Sequence, residues 1–235
     1  MPRRPALAPE PLPLPPFAGF PTEGLAFLRD LATHQDRAWF EANKATYATA
    51  LRAPMEALMA ELGAAMARRR IPLGGDPRKA VFRIHRDVRF SRDKSPYKTH
   101  VGAILSHSGG GPHGGVLYVH VAPEGCFAAA GFWQPEPKAL DALRRAIAEE
   151  PAAWRRVTTA LAKSGLALDE DEGALKRNPR GYEAVIEDAI RRRSFTTRRA
   201  LSVASVATSA LAGEIADFAA EAAPLLRWGW AALGR

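Results

Sequence analysis

Three observations predict an α+β domain, a central antiparallel β-meander packed by N-terminal and C-terminal helices. The apolar spacing is helical up to Arg70 and again from Pro137, it switches to a period of two between Lys79 and Trp133, and Val101 to Pro123 contains no Lys, Arg, Asp or Glu. Helices, then strands, then helices make an α+β layered domain.

Residues 1–20 read as a disordered leader. Eight prolines fall within the first 21 residues, and Pro11-Leu-Pro13-Leu-Pro15-Pro16 removes backbone donors and favours an extended polyproline chain without a core. Residues 21–202 read as the domain and 203–235 as a C-terminal helical extension. A first helix begins at Thr22 as N-cap and carries Leu25, Leu28, Leu31 and Ala32 on one face as far as His34-Gln35. Asp36 caps a second, on which Trp39, Asn43, Tyr47 and Leu51 recur every four residues. Pro54 opens a third, bearing Met55, Leu58, Met59, Leu62 and Met66 and ending at Arg68-Arg69-Arg70, where cations suit the carbonyl end of the helix dipole.

Leu73-Gly-Gly-Asp-Pro77 is turn chemistry. Four strands are predicted after it: Lys79–Phe90, Val101–His107, Gly115–Ala122 and Gly125–Trp133. The uncharged run inside them suits a sheet centre covered by helices. Helices follow at Pro137–Glu149 and Ala152–Lys163, with a short piece at Tyr182–Arg193 and a terminal helix over Val203–Ala222.

No apolar run reaches the 18 residues of a membrane span, and the first residues lead into prolines rather than a signal core, so a cytoplasmic protein that uses no membrane is expected. Cys126 is the single cysteine, which excludes an internal disulfide and reads as an inert buried thiol. No His-Glu-x-x-His, Gly-Lys-Ser or Gly-x-Ser-x-Gly motif is present. The four histidines from His100 to His120 lack nearby carboxylates, so neither a metal nor a cofactor is expected, although His107 and His120 could meet across a hairpin.

The net charge of +8 is concentrated. Arg68 to Lys98 holds eleven basic and three acidic residues, and the remainder is balanced. In a strand over Phe82–Phe90, one face carries Phe82, Ile84, Arg86, Val88 and Phe90, and the other Arg83, His85, Asp87 and Arg89. Arg86 among apolar neighbours needs a carboxylate or an anionic ligand. Lys94, Tyr97 and Lys98, on the turn-rich segment that follows, supply donors for a phosphate or carboxylate, and Asp87 and Asp93 can orient the cations or accept a proton.

This segment, Phe82-Arg-Ile-His-Arg-Asp-Val-Arg-Phe-Ser-Arg-Asp-Lys-Ser-Pro-Tyr-Lys98, resembles the signature of a bacterial and fungal family known as conserved hypothetical proteins, a domain of unknown function. Trp39–Tyr47, Gly115–His120, Gly131-Phe-Trp-Gln-Pro135 and Leu175-Lys-Arg-Asn-Pro-Arg-Gly-Tyr182 are similar to its other blocks, in order, over about Phe20 to Ser202. Asn178 stands where a second proline is expected, and Tyr182–Glu187 lacks a His-Pro dipeptide. The resemblance implies one α+β domain and brings no catalytic residue. Arg191-Arg-Arg-Ser-Phe195 looks like the family's basic ending, so Arg177, Arg180 and Arg193 could add to the basic site.

The expected site is therefore a cleft lined by Arg83, Arg86, Arg89, Lys94, Tyr97, Lys98 and Arg180, roofed by the helix bearing Asn43. It would bind an anionic small molecule, with Asp87 or Asp93 as base if it catalyses. The alternatives are a nucleic-acid-binding module, less favoured because the segment has few aromatics for stacking, and a structural or partner-binding domain. The oligomeric state is not set by the sequence.

Overall fold

Helices α1 (Thr22–Thr33) and α2 (Arg37–Tyr47) form where the apolar spacing places them. Asp36 accepts the Trp39 N–H at 2.8 Å as the expected cap, whereas Thr22 is itself helical and Pro21 precedes it as the cap residue, with no side-chain bond. Pro54 does not start a separate helix. α2 runs through a π-helical turn, Ala48–Arg52, into α3 (Ala53–Arg68), and the Ala53 N–H reaches back to the Ala48 carbonyl. Pro54 has no N–H to give Ala50 and its ring would crowd that carbonyl, so a wider turn just before it keeps the helix continuous. The computed structural model describes residues 14–107 and 114–235, so most of the leader and of the glycine-rich loop after His107 lies outside the described residues.

The sheet has five antiparallel strands in chain order: β1 (Leu73–Gly74), β2 (Val101–His107), β3 (Val116–Val121), β4 (Cys126–Phe132) and β5 (Phe195–Leu201). The strand expected over Lys79–Phe90 does not form. Pro77–Ala80 makes one helical turn (α4), Val81 bridges Ala103, and the remainder to Lys98 is a loop closed by a His85–Tyr97 bridge. Its backbone finds three long-range bonds: Phe82 N–H to Gly102 O, Arg86 N–H to Pro96 O and Lys98 N–H to Ile84 O. Phe82 and Phe90 are exposed, and of the five residues assigned to a core face only Ile84 is buried.

β5 was not expected. It is reached from β4 through α5 (Pro137–Glu149), α6 (Pro151–Lys163) and an irregular stretch in which Asp188–Arg191 is a single 3₁₀ turn, so Tyr182–Arg193 is not a helix. The chain ends in α7 (Val203–Val206) and α8 (Leu211–Ala232), which extends ten residues past the predicted end and contains Pro224. Far from lying outside the core, α8 buries Leu211, Ile215, Phe218, Leu225 and Leu226 completely, and Phe17 and Phe20 from the leader are also buried.

One face of the sheet meets α3, α8 and α6. Leu105, Leu117, Val119, Ala128, Phe132 and Phe195 point into that layer, and Trp154 of α6 contacts both Phe195 and Trp228. Among the described residues the uncharged run therefore does not have helices on both sides. Its alternate residues form an open face that is neutral yet only half-buried.

Candidate functional site

The basic loop holds its charges by local bonding. Arg86 pairs with Asp93, and one guanidinium edge of Arg89 donates to both oxygens of Asp87, Nε at 3.0 Å and Nη2 at 2.7 Å. Lys94 Nζ donates to the Val88 carbonyl at 3.0 Å and Lys98 Nζ to the Arg83 carbonyl at 2.9 Å. Asp87 is held below the usual carboxylate range chiefly by Arg89, and Asp93 by Ser95 and then Arg86. Carboxylates so stabilised in the charged form are poor proton acceptors, which argues against the base role expected for either. Tyr97 is buried, stacked on Phe40 at 4.5 Å, with its N–H on Gln35. Asn43 bonds back to the Trp39 carbonyl of its own helix. Arg83 and Arg180 are exposed. Apart from Asn43 on α2 and Arg180 in the stretch before β5, the expected residues share a loop but do not converge, and none of them lines either of the two largest cavities described.

Those cavities lie elsewhere. Strand register places Ile104, Tyr118, Ala129 and Arg198 in one row across the open face, with Gly102, His120, Phe127 and Ala200 in the next. Over these rows lies a cavity of about 570 Å³, within the range of small-molecule sites. His120 stacks on Phe127 at 4.7 Å and meets the His100 ring at a tilt, 4.5 Å away, and its Nδ1 shares a 2.8 Å hydrogen bond with the Tyr118 hydroxyl. Gly102 leaves room for that hydroxyl, since a Cβ there would lie 2.7 Å from it. Phe82 forms one wall, with Lys98 Nζ over its ring.

The opposite wall comes from the stretch before β5. Asp169 accepts hydrogen bonds from Thr196 Oγ1 and Arg198 Nε, both at 2.8 Å, and fixes Arg198 across the Phe127 ring. The terminal nitrogens of Arg198 have no protein partner among the described residues and its side chain is 52% exposed, so a cation is aimed but not consumed. No sequence motif marked His100, Tyr118, His120, Asp169 or Arg198 as a group. The one available signal was the missing charge between Val101 and Pro123.

Burial sets the protonation of this floor. It pushes the Tyr118 hydroxyl up to about 12 and, together with His100, pushes His120 down to about 4; His100 is lowered by burial and by Lys98. At neutral pH the floor is polar and uncharged. Among the described residues no group of three or more potential metal ligands gathers, and the histidine contact that forms is His100 with His120, while His107 lies against Trp230. Cys126 is buried and its thiol raised by burial.

A pH prediction follows. In the unfolded chain His120 takes up its proton as the pH drops through 6.5, whereas in the fold it resists until about 4. The stabilisation is complete above 6.5 and is lost as the pH falls to 4. The shift limits it to about 3 kcal/mol, and partial exposure brings the expected loss to about 2 kcal/mol, or about 4–8 °C in Tm for a chain of this length. Melts at pH 7, 5 and 4 check this, and His120→Gln flattens the slope; an equal slope in the variant would assign the effect to other groups.

No described helix is long and apolar enough to cross a membrane. The family described as conserved hypothetical protein (DUF2461) matches residues 23–228. No curated protein and no solved structure matches the chain.

Proposed function

The chain belongs to that family of conserved hypothetical proteins, a membership whose description names no reaction, and from the site we propose that it binds a small molecule made of a flat ring and a carboxylate or phosphate. The observation that carries this is the open-face cavity, with an aromatic, uncharged floor and a cation braced at its edge. A ring stacks over Phe127, His120 and Tyr118, where burial of apolar surface supplies most of the affinity. The acid group pairs with Arg198, whose Nε is already held by Asp169, so little side-chain entropy remains to be lost. Of the basic residues picked out in the sequence, Lys98 is connected to this cavity only through the Phe82 ring, over which its Nζ lies.

Titration calorimetry with indole-3-carboxylate and inorganic phosphate tests this. The ring acid is expected to bind, and Arg198→Ala and Tyr118→Ala each weaken it about tenfold or more, roughly the 1.4 kcal/mol of one charge-assisted contact. Arg89→Ala leaves it unchanged. Loss of binding in Arg89→Ala with none in Arg198→Ala would return the site to the basic loop. A second reading is favoured by Phe90, 95% exposed at the tip of that loop beside Arg89. An aromatic between cations suits single-stranded nucleic acid, and its mark is affinity that falls with a log-log salt slope of about −0.7 per phosphate.

A further inference from the structure

Beside the open-face cavity lies a second one of about 960 Å³, and the two share Trp133 and Arg198. Its floor carries two more guanidinium groups. Arg144 projects from α5; its Nη2 donates to the Arg192 carbonyl at 3.0 Å, and its Nε is buried with no hydrogen-bond partner among the described residues. The Arg193 side chain, also without a partner among them, lies near enough that its charge opposes that of Arg144, and burial already disfavours the Arg144 cation. A half-buried cation facing another is costly unless an anion joins them.

Asp141 and Asp171 offset part of that repulsion from a distance, but neither bonds to the side chain of Arg144 or Arg193. Asp171 is committed to the backbone, accepting from Arg193 N–H, Ser194 N–H and Gly173 N–H, and Asp141 accepts from the Tyr182 hydroxyl and Arg145. Glu170 and Glu172 line the cavity as acceptors. They suit hydroxyl groups and disfavour a ligand of high negative charge. Between the two cavities stands Trp133, 56% exposed, followed by Gln134 in the left-handed backbone region at φ 40° with its N–H on Ser194 Oγ. A non-glycine residue in that conformation costs free energy, and such strain collects where a binding surface dictates the backbone.

We propose that the two cavities hold one elongated ligand of the nucleoside monophosphate class. The base lies on the Tyr118–His120–Phe127 floor, the sugar hydroxyls pass Trp133 toward Glu170 and Glu172, and the phosphate bridges Arg144 and Arg193. This rests on the ring-binding part of the open-face reading: Arg198, which lines both cavities, takes the acid group of a short ring acid, and a longer ligand carries its phosphate past it to Arg144 and Arg193. A phosphate offers several acceptor oxygens, enough for Arg144 Nη1, which has no partner among the described residues, and the Arg193 fork together, while the buried Nε leaves the Arg144 charge undercompensated. One phosphate satisfies two guanidinium groups, whereas the glutamates at the rim set a penalty against a triphosphate.

Calorimetry of the full chain with AMP, adenosine and ATP, at low and physiological salt, tests the proposal. AMP is expected to bind at least tenfold more tightly than adenosine and more tightly than ATP. Arg193→Gln, at an exposed side chain, is expected to bring AMP to the affinity of adenosine and to leave adenosine unchanged. Arg144→Lys keeps a charge but loses the fork, and is expected to weaken AMP at least threefold; thermal melts of both variants verify that they are folded. Equal affinities for AMP and adenosine, or an Arg193→Gln variant that still prefers AMP, overturn the proposal. If that happens while indole-3-carboxylate still binds through Arg198, the open-face reading survives alone. If no ring compound binds, both fail.

Discussion

Gly131→Ala is expected to lose at least about 4 kcal/mol, a large part of the 5–15 kcal/mol that holds a typical domain folded. Gly131 sits in β4 opposite Thr196 with φ +132°, a conformation that L side chains rarely adopt. A Cβ there would lie 2.1 Å from the Phe195 carbonyl oxygen and 2.9 Å from Thr196 Cα. Those atoms are backbone of the neighbouring strand, so no side chain can swing aside, and relief requires β5 to separate from β4. The same movement would pull Thr196 and Arg198 away from the open-face cavity. Urea unfolding of the soluble fraction measures the loss. Gly63→Ala is the control: it lies within α3 with nothing near its missing Cβ, and is expected to gain about 0.5–1 kcal/mol from helix propensity. Wild-type stability in Gly131→Ala would mean that β4 and β5 do not approach as closely as described.

That junction also separates what was legible in the sequence from what was not. β2, β3, β4, α1, α5 and α6 announced themselves because their own residues carry the period, and they lie within one or two residues of the expected positions. β5 could not be read in this way. Thr197 points into the core and is satisfied by the Ala167 carbonyl, and Arg199 on the same face pairs with Glu221 of α8, so the alternation is written in polar residues whose partners lie 30 and 22 residues distant. The opposite error occurred over Phe82–Phe90, where an apolar alternation resembles a strand. Its charges instead close on one another within the loop, Arg86 on Asp93 and Arg89 on Asp87, and the backbone follows them. The concentration of basic residues was visible, but that they neutralise or bond locally was not. The open face needed the topology, since only the sheet order determines which alternate residues of an uncharged strand remain uncovered. Arg193 was within reach of the sequence through the Arg-Arg-Ser-Phe block, and Trp133 through the Trp-Gln-Pro block; what brings them to one cavity is the long excursion between β4 and β5.

Phe132→Ala is expected to cost about 3–5 kcal/mol and to leave ligand affinity unchanged. The ring is fully buried between β4 and α8, and it fits because two glycines leave room for it. A Cβ on Gly229 would fall 2.1 Å from its Cε2, and one on Gly115 would fall 2.8 Å from its Cε1. Removing the ring leaves a cavity that α8, pinned through Trp230 Nε1 to the Gly114 carbonyl at 2.9 Å, cannot collapse to fill. Gly229→Ala overfills the same space, at about 1–3 kcal/mol. The double variant Phe132→Leu, Gly229→Ala is expected to be more stable than the sum of the single losses, because the smaller side chain vacates the volume that the new methyl takes. Strict additivity in denaturant midpoints would show that the ring and the helix do not share that space. Trp133, the next residue, faces the two ligand cavities, so Trp133→Ala is expected to change stability little and to weaken binding. In Gly131-Phe132-Trp133 one residue lets the strands close, the next joins sheet to helix and the third serves the ligand, and stability and binding measurements on the three variants separate these roles.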